Sequence, residues 1–278
     1  MRLFGLVALV MVAFAANSVL NRLAVGGGWI DAMDFALIRV ASGAAALSAM
    51  VLIRDRRLTL GGPHRLAGVL SLTLYLAGFS AAYVTLDAGA GALILFGGVQ
   101  VTMFAGAVLA REPMPVLRWI GALVALSGLA WMFWPGNGAR VPPVAGAMMA
   151  AAAVGWGVYS LVGRRSGEPL RATAANFLLA VPVCAVIALL ARAGTAITPH
   201  GILLALTSGI VTSGLGYALW YAVLPRLAAS VAAVAQLTVP VIALAGGALI
   251  LSEPVTPALI AACALVLGGV ALSVLARR

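Results

Sequence analysis

Charge is what this chain has least of. Only 9% of its 278 residues are charged, seven of them acidic, and lysine is absent, so all 17 basic residues are arginine. A soluble domain carries roughly a quarter of its residues as charges. With 64% hydrophobic residues and a mean hydropathy of +1.14, the composition excludes a soluble catalytic domain and requires a polytopic membrane protein. Histidine and cysteine are almost as scarce. His64 and His200 lie in or beside loops, and Cys184 and Cys263 sit inside apolar runs, where they read as small buried hydrophobes rather than a disulfide or a metal pair. No HExxH, CxxC or Walker A pattern occurs, and no two carboxylates share a helix face within a span. An enzyme, an ATP-driven pump, a metal site and a bound cofactor are therefore not expected. The net charge of +10 is spread singly or in pairs at helix ends, which argues for membrane topology and against nucleic acid as a partner.

What the chain does have is a long motif written twice. Residues 88–130 and 229–271 each read as an apolar helix, a Glu-Pro hinge and a second apolar helix. Setting Glu112-Pro113 over Glu253-Pro254 gives an offset of 141 residues, which also superimposes Gly106 on Gly247 and Gly128 on Gly269. A repeat at half the chain length means two homologous halves, 1–138 and 139–278, and in a membrane protein such halves point to a transporter.

Apolar runs place ten spans near 3–24, 32–53, 66–86, 90–110, 115–134, 143–163, 172–191, 199–223, 229–250 and 256–276. At about 20 residues per span they leave only short loops. The first run also resembles a signal peptide, but Phe14, Ser18 and Arg22 find counterparts at Trp156, Ser160 and Arg164, so it is read as a retained helix. The stretch Trp134-Pro135-Gly136-Asn137-Gly138 breaks the chain between the halves. With both termini cytoplasmic, thirteen arginines lie inside against three outside, with Arg39 left within a span; this sets the orientation. An odd number of spans per half makes the repeats inverted, with Glu112 cytoplasmic and Glu253 extracytoplasmic. The expected fold is all-α and integral to the membrane: ten transmembrane helices in two inverted five-helix repeats around a central cavity.

Polar and aromatic residues inside spans mark the candidate cavity. Asn17 shares a face with Phe14 on the first span; Tyr75, Phe79 and Tyr83 form an i, i+4, i+8 stripe on the third; Phe96 and Gln100 share a face on the fourth. Trp156, Tyr159 and Ser160 cluster on the sixth, Tyr217, Trp220 and Tyr221 on the eighth, and Gln236 lies on the ninth. Amides in hydrocarbon need a partner or water, so they usually face the bundle interior. Interface anchoring or plain packing is the competing reading for the rings, and an interhelical hydrogen bond for Gln100 and Gln236. Spans 1, 3 and 4 match spans 6, 8 and 9, which makes a six-helix wall with spans 5 and 10 at the periphery. Such a wall suits a small amphiphilic or zwitterionic solute.

Arg39 is the one ionised group well inside a span. It reads either as a carboxylate-binding group or gate, or, preferably, as a structural partner of Asp34 or Asp31 or a snorkelling side chain. Glycines in spans 4, 5, 9 and 10 permit close helix approach. Pro182 and Pro240 should kink their spans; Pro240 stands where the first half has Val99, which makes it a candidate hinge.

The paired hinges AREPMPVLRWIGALVALSGLA and LSEPVTPALIAACALVLGGVAL, with AVAQLTVPVIALAGGALILSEP, SGLGYALWYAVLPRLAA and FALIRVASGAAA, resemble the drug/metabolite transporter superfamily, EamA type, over essentially the whole chain. ILFGGVQVTMFAGAVLAREP looks closest to the YddG-like exporters of aromatic and other amino acids, though Val99-Gln100 replaces a proline common in relatives. The resemblance implies a bacterial inner-membrane exporter, with a small-molecule substrate and the lipid bilayer as partners and a monomer as the assembly it allows. The expected cargo is neutral or aromatic amino acids, moved by facilitated alternating access. A drug or nucleotide-sugar transporter of the same fold is the alternative, followed by an intramembrane enzyme.

Overall fold

The computed structural model describes residues 2–112, 115–134, 141–163, 167–227 and 229–275. Pro113 of the first hinge, the break at 135–138, the boundary between the halves, and Arg140, Arg164, Arg165, Arg277 and Arg278 lie outside the described residues. Those described form helices and loops with no strand: α1 (Arg2–Gly26), α2 (Ala32–Asp55), α3 (Arg65–Ala82), α4 (Ala88–Leu109), α5 (Val116–Met132), α6 (Pro143–Gly163), α7 (Pro169–Ala191), α8 (Pro199–Arg226), α9 in two pieces (Ala229–Gln236 and Thr238–Ile250) and α10 (Pro257–Leu275). Eight are long and apolar enough to cross a membrane by length and composition; Val116–Met132 and Val234–Ile250 are shorter apolar helices.

Local chemistry sets most boundaries. Asp31 caps α2 by accepting from Met33 N at 2.9 Å, and Arg56 ends it in the left-handed region at φ 58°. Thr198 caps α8, with Pro199 in its first turn. These are the usual start and stop devices of helices. The break in α9 falls at Leu237, three residues before Pro240. A proline cannot donate to the carbonyl four residues back, here Gln236, and its ring crowds that carbonyl. Helix α7, by contrast, runs unbroken through Pro182.

Both hinges begin with a left-handed residue. Arg111 and Ser252, 141 residues apart and each just before its hinge glutamate, both stand at φ 55°. A non-glycine residue in that region is uncommon, so its recurrence marks one turn used twice.

The main helix pairs are α3 with α6, α5 with α10, α2 with α7, α4 with α6, α2 with α8, α4 with α9 and α1 with α8 and α9. Exchanging each helix for the one five places on returns pairs that are also in contact, α3 with α7 and α9 with α10 included. Helices α5 and α10 meet backbone to backbone: a Cβ at Gly121 would lie 2.5 Å from Gly269 O, and only glycine allows that approach. Large apolar side chains face outward along the spans, Leu109, Leu123, Leu190 and Leu249 among them at 84%, 63%, 82% and 85% exposure. A belt of that kind belongs against lipid.

Candidate functional site

A column of aromatic rings fills the middle of the bundle. The stripe on α3 is its spine: Tyr83 meets Phe79 at 4.7 Å between centroids, and Phe79 meets Tyr75 at 5.3 Å. Tyr75 then contacts Trp156 of α6 at 4.8 Å, and Trp156 stacks on both Tyr159 and Tyr217 at 5.3 Å. Phe14 links Tyr217 to Trp220. Helical spacing put each ring on an inward face, and offset or edge-on packing holds them. Sequence expectation placed a cavity here; in this conformation the rings occupy it.

Arg39 inserts into this column with 0% exposure. Its Nη2 donates to Tyr75 Oη at 2.8 Å and its Nε to Ser213 Oγ at 3.1 Å, while the guanidinium lies 5.1 Å from the ring centroids of both Tyr75 and Phe79. The expected structural pairing with Asp34 or Asp31 does not occur. Asp34 stands 3.5 Å from Arg192 at the helix end, and Asp31 is taken by Met33 N and Ala193 N. Those acids lie at the cap and first turn of α2, about 1.4 turns (Asp34) and about 2.2 turns (Asp31) from Arg39, so reaching them would mean leaving the column.

The polar network continues through Asn17. Its Nδ2 donates to Tyr75 Oη at 3.3 Å, and its Oδ1 accepts from Ser208 Oγ at 2.6 Å and Thr212 Oγ1 at 3.1 Å. Ser208, Thr212 and Ser213 belong to a π-helical stretch of α8, Ser208–Leu215. Such widened turns recur at functional sites, and this one redirects three hydroxyls toward Asn17 and Arg39. Gly209 makes the approach possible, since a Cβ there would lie 2.5 Å from Arg39 O.

Beyond Trp156 the column opens. Tyr159 Oη donates to Thr173 Oγ1 at 3.2 Å, Thr173 donates to Tyr221 Oη at 3.1 Å, and Asn176 joins Tyr159 to Arg65. Tyr221 also lines a half-open pocket of about 330 Å³, together with Arg54, Glu168, Leu170 and Ala218. Beside it Asp55 holds Arg54 at 2.8 Å and Arg171 at 2.7 Å, fastening α2 to α7.

The opposite end is shut. Glu253 reaches from the second hinge to the first half, where its Oε2 accepts from Ala88 N at 2.8 Å, capping α4, and its Oε1 accepts from Arg22 Nε at 3.2 Å. Arg22 Nη1 also donates to the carbonyls of Tyr83 and Val84, and its Nη2 stands 3.6 Å from Asp87. An anion at a helix N-terminus is favourably placed. Burial pushes the Glu253 carboxyl above its ordinary range, against the pull of the Ala88 N–H and Arg22.

Other expected wall residues lie elsewhere. Gln100 turns away from the column toward α5 and α10, lining a crevice of about 30 Å³ with Gly121, Ala122, Ala125 and Ser273, where small side chains leave room for an amide. Phe96 is half-buried and packs against the buried apolar core. Ser160 donates back to Trp156 O within its own helix. Gln236 is half-buried at the break in α9, and Pro240 is buried just beyond it. The wall thus comes from α1, α2, α3, α6, α7 and α8. Thr173, Asn176, Ser208, Thr212 and Ser213 escaped sequence reading because isolated hydroxyls and one amide in apolar runs carry no spacing signal; the only hint was their intramembrane polarity. Among the described residues no group of three His, Cys, Asp or Glu could hold a metal ion.

Comparison with known proteins agrees with this architecture. Residues 144–275 match the model of the EamA-like transporter family. The chain is 44% identical over 270 residues to uncharacterized protein PA1977 of Pseudomonas aeruginosa, covering 96% of this chain and 92% of that one. A crystal structure 22% identical superimposes with a TM-score of 0.67 over 97% of this chain and 98% of the other, a likeness of fold.

Proposed function

Because this chain belongs to the EamA-like transporter family, a family of multi-pass membrane transporters of small molecules, we propose that it exports neutral and aromatic amino acids across a bacterial inner membrane. The carrying observation is the buried column of rings, amides and hydroxyls around Trp156 and Tyr75, with no carboxylate among its members. Rings of that kind take an apolar side chain by stacking, and the hydrogen-bonding groups among them orient a polar head.

Ten spans in two inverted five-helix repeats, with both termini cytoplasmic, account for the duplicated hinge, the helix pairs that survive exchange of the halves, and the arginine bias. In that orientation the Glu253 end faces outward and the pocket beside Tyr221 faces the cytoplasm. Alternating access then exchanges one closed end for the other. The repeat supplies the second closure: Glu112 is the counterpart of Glu253, and Ala229, the first residue of α9, that of Ala88. With the outer end open, Glu112 caps α9 as Glu253 now caps α4. Pro240 relieves the backbone where α9 must bend.

Transport is facilitative in this reading, since the intramembrane Asp34 sits at a helix end against Arg192 rather than in the column. Amino-acid counterflow in proteoliposomes, without pH or voltage gradient, tests the proposal. Saturable exchange of Phe, Trp and Met but not Asp is expected, falling at least tenfold on Trp156→Ala, the loss of about 1.4 kcal/mol that one ring stack supplies. Absence of exchange for every amino acid removes the substrate assignment. Exchange that appears only under an imposed pH gradient and is lost on Asp34→Asn removes the facilitative mechanism.

A further inference from the structure

Arg39 has no anionic partner in the described chain. The seven acidic residues are all described, and each is placed elsewhere. Asp31 and Asp34 lie at the start of α2 with Ala193 N and Arg192; Asp55 and Glu168 hold Arg171; Asp87 and Glu253 flank Arg22; Glu112 is exposed at its hinge. A guanidinium with 0% exposure in the centre of an apolar bundle is thus held only by neutral oxygens and two rings. Such a charge is costly unless an anion meets it.

The hydrogen-bond accounts point the same way. Arg39 Nη1 is buried with no partner. Tyr75 Oη receives two donated bonds, from Arg39 Nη2 and Asn17 Nδ2, which fills its acceptor positions and leaves its own proton to donate. Asn17 Oδ1 is already engaged by Ser208 and Thr212. At Arg39 itself the spare groups are therefore donors, Nη1 and the Tyr75 hydroxyl proton, the inventory of an anion receptor; the unpartnered acceptor Asn21 Oδ1 lies one turn further along α1. A guanidinium fork beside a phenol hydroxyl matches a carboxylate, which accepts two bonds side by side.

We propose that Arg39 and Tyr75 form the subsite that binds the carboxylate of the transported molecule, with Ser213 orienting the guanidinium, and that the carboxylate is the head group recognised. This rests on the column being the transport path. A molecule entering from the pocket beside Tyr221 reaches Tyr159 and Trp156 before Arg39; its apolar body takes the place of ring contacts around Trp156, and its carboxylate displaces the stand-in contact between Arg39 and Tyr75. Nothing comparable awaits an ammonium, because the column holds no acid. The ligand class is accordingly a monocarboxylate on an aromatic or apolar body, and the amino group is dispensable for binding.

Thermal-shift titration of the full-length protein in detergent tests this with four related probes: L-phenylalanine, 3-phenylpropionate, L-phenylalaninamide and phenethylamine. The two carboxylates are expected to stabilise the protein, with affinities at least tenfold above the amide and the amine. Arg39→Met should abolish that preference, Arg39→Lys should restore part of it, and Tyr75→Phe, which keeps the ring and removes the hydroxyl that donates to the carboxylate, should weaken the preference for acids over amides without abolishing it. Folding of each variant is checked by its melting transition without ligand, and Tyr75→Phe and Arg39→Lys keep the test decisive where Arg39→Met does not fold. Equal stabilisation by acid and amide overturns the carboxylate subsite while the transport path stands. So does an acid preference unchanged in both Arg39 variants. If none of the four binds, the path and the subsite fall together.

Discussion

The two Glu-Pro hinges match in sequence and share a left-handed residue just before the glutamate, yet they do different work. Arg111 and Ser252 share φ 55°, so each helix ends in a left-handed residue just before its glutamate. Glu253 nevertheless reaches across to the first half, caps α4 at Ala88 and binds Arg22 with only 10% of its side chain exposed. Glu112 is exposed. The same left-handed residue before each glutamate thus leads to opposite tertiary fates, one end of the bundle fastened and the other not. The asymmetry resides in which helix end the glutamate finds, not in the hinge itself.

The largest expected effect comes from removing the closed end. Glu253→Ala strips the cap from α4 and leaves Arg22 with Asp87 as its one acidic neighbour beside the Tyr83 and Val84 carbonyls; it should lower stability by about 2–3 kcal/mol, whereas Glu112→Ala should stay within about 0.5 kcal/mol. Thermal unfolding of the two variants in one detergent measures the difference, and equal losses would erase the contrast between the hinges.

A smaller effect separates the matched glycines behind them. A Cβ at Gly247 would strike Glu253 Oε2, whereas one at Gly106 meets the end of the Leu161 side chain. Gly247→Ala should therefore displace the carboxylate and cost about 1–2 kcal/mol, and Gly106→Ala should cost less because Leu161 can rotate away. Accessibility of a cysteine placed at Ala88 to a membrane-impermeant thiol reagent should rise in the first variant only. Labelling unchanged in both would mean that the glutamate is not held against Gly247.

The smallest effect is one of pH. Burial raises the Glu253 carboxyl above its ordinary range, so across the interval from that range up to its raised value the folded protein holds more protons than the unfolded chain. Stability from this group is then greatest at low pH and declines as pH rises through that interval. Glu253→Gln keeps an acceptor for Ala88 N and cannot titrate. The melting temperature of the native protein relative to this variant should fall as pH rises above the ordinary glutamate range; a difference that is flat or of opposite slope would contradict the buried carboxyl.

Much of this was legible in the chain because it depends on neighbours a few residues apart. The i, i+4, i+8 stripe of Tyr75, Phe79 and Tyr83 lies on one face of any helix, and it forms the spine of the column. Pro240 had to disturb the carbonyl of Gln236, and α9 breaks at Leu237. Gln100 shows where that reasoning ends. Its shared face with Phe96 was correct for a lone helix, but α4 has two apolar sides, and only packing against α5 and α10 turned the amide toward Gly121. Arg39 was legible as an intramembrane charge and illegible as to partner, since Ser213 lies 174 residues away on a widened turn.

By itself the sequence determined that the chain is a multi-pass membrane protein and that it carries a Glu-Pro motif twice, because hydrophobicity and turn chemistry act within a few residues. Only the tertiary structure decided that Glu253 caps a helix 165 residues distant, that six particular helices share the aromatic column, and that Arg39 stands among them without an acid. Those pairings arise when separate helices bury their faces against one another, and backbone spacing along a single helix carries no record of which faces will meet.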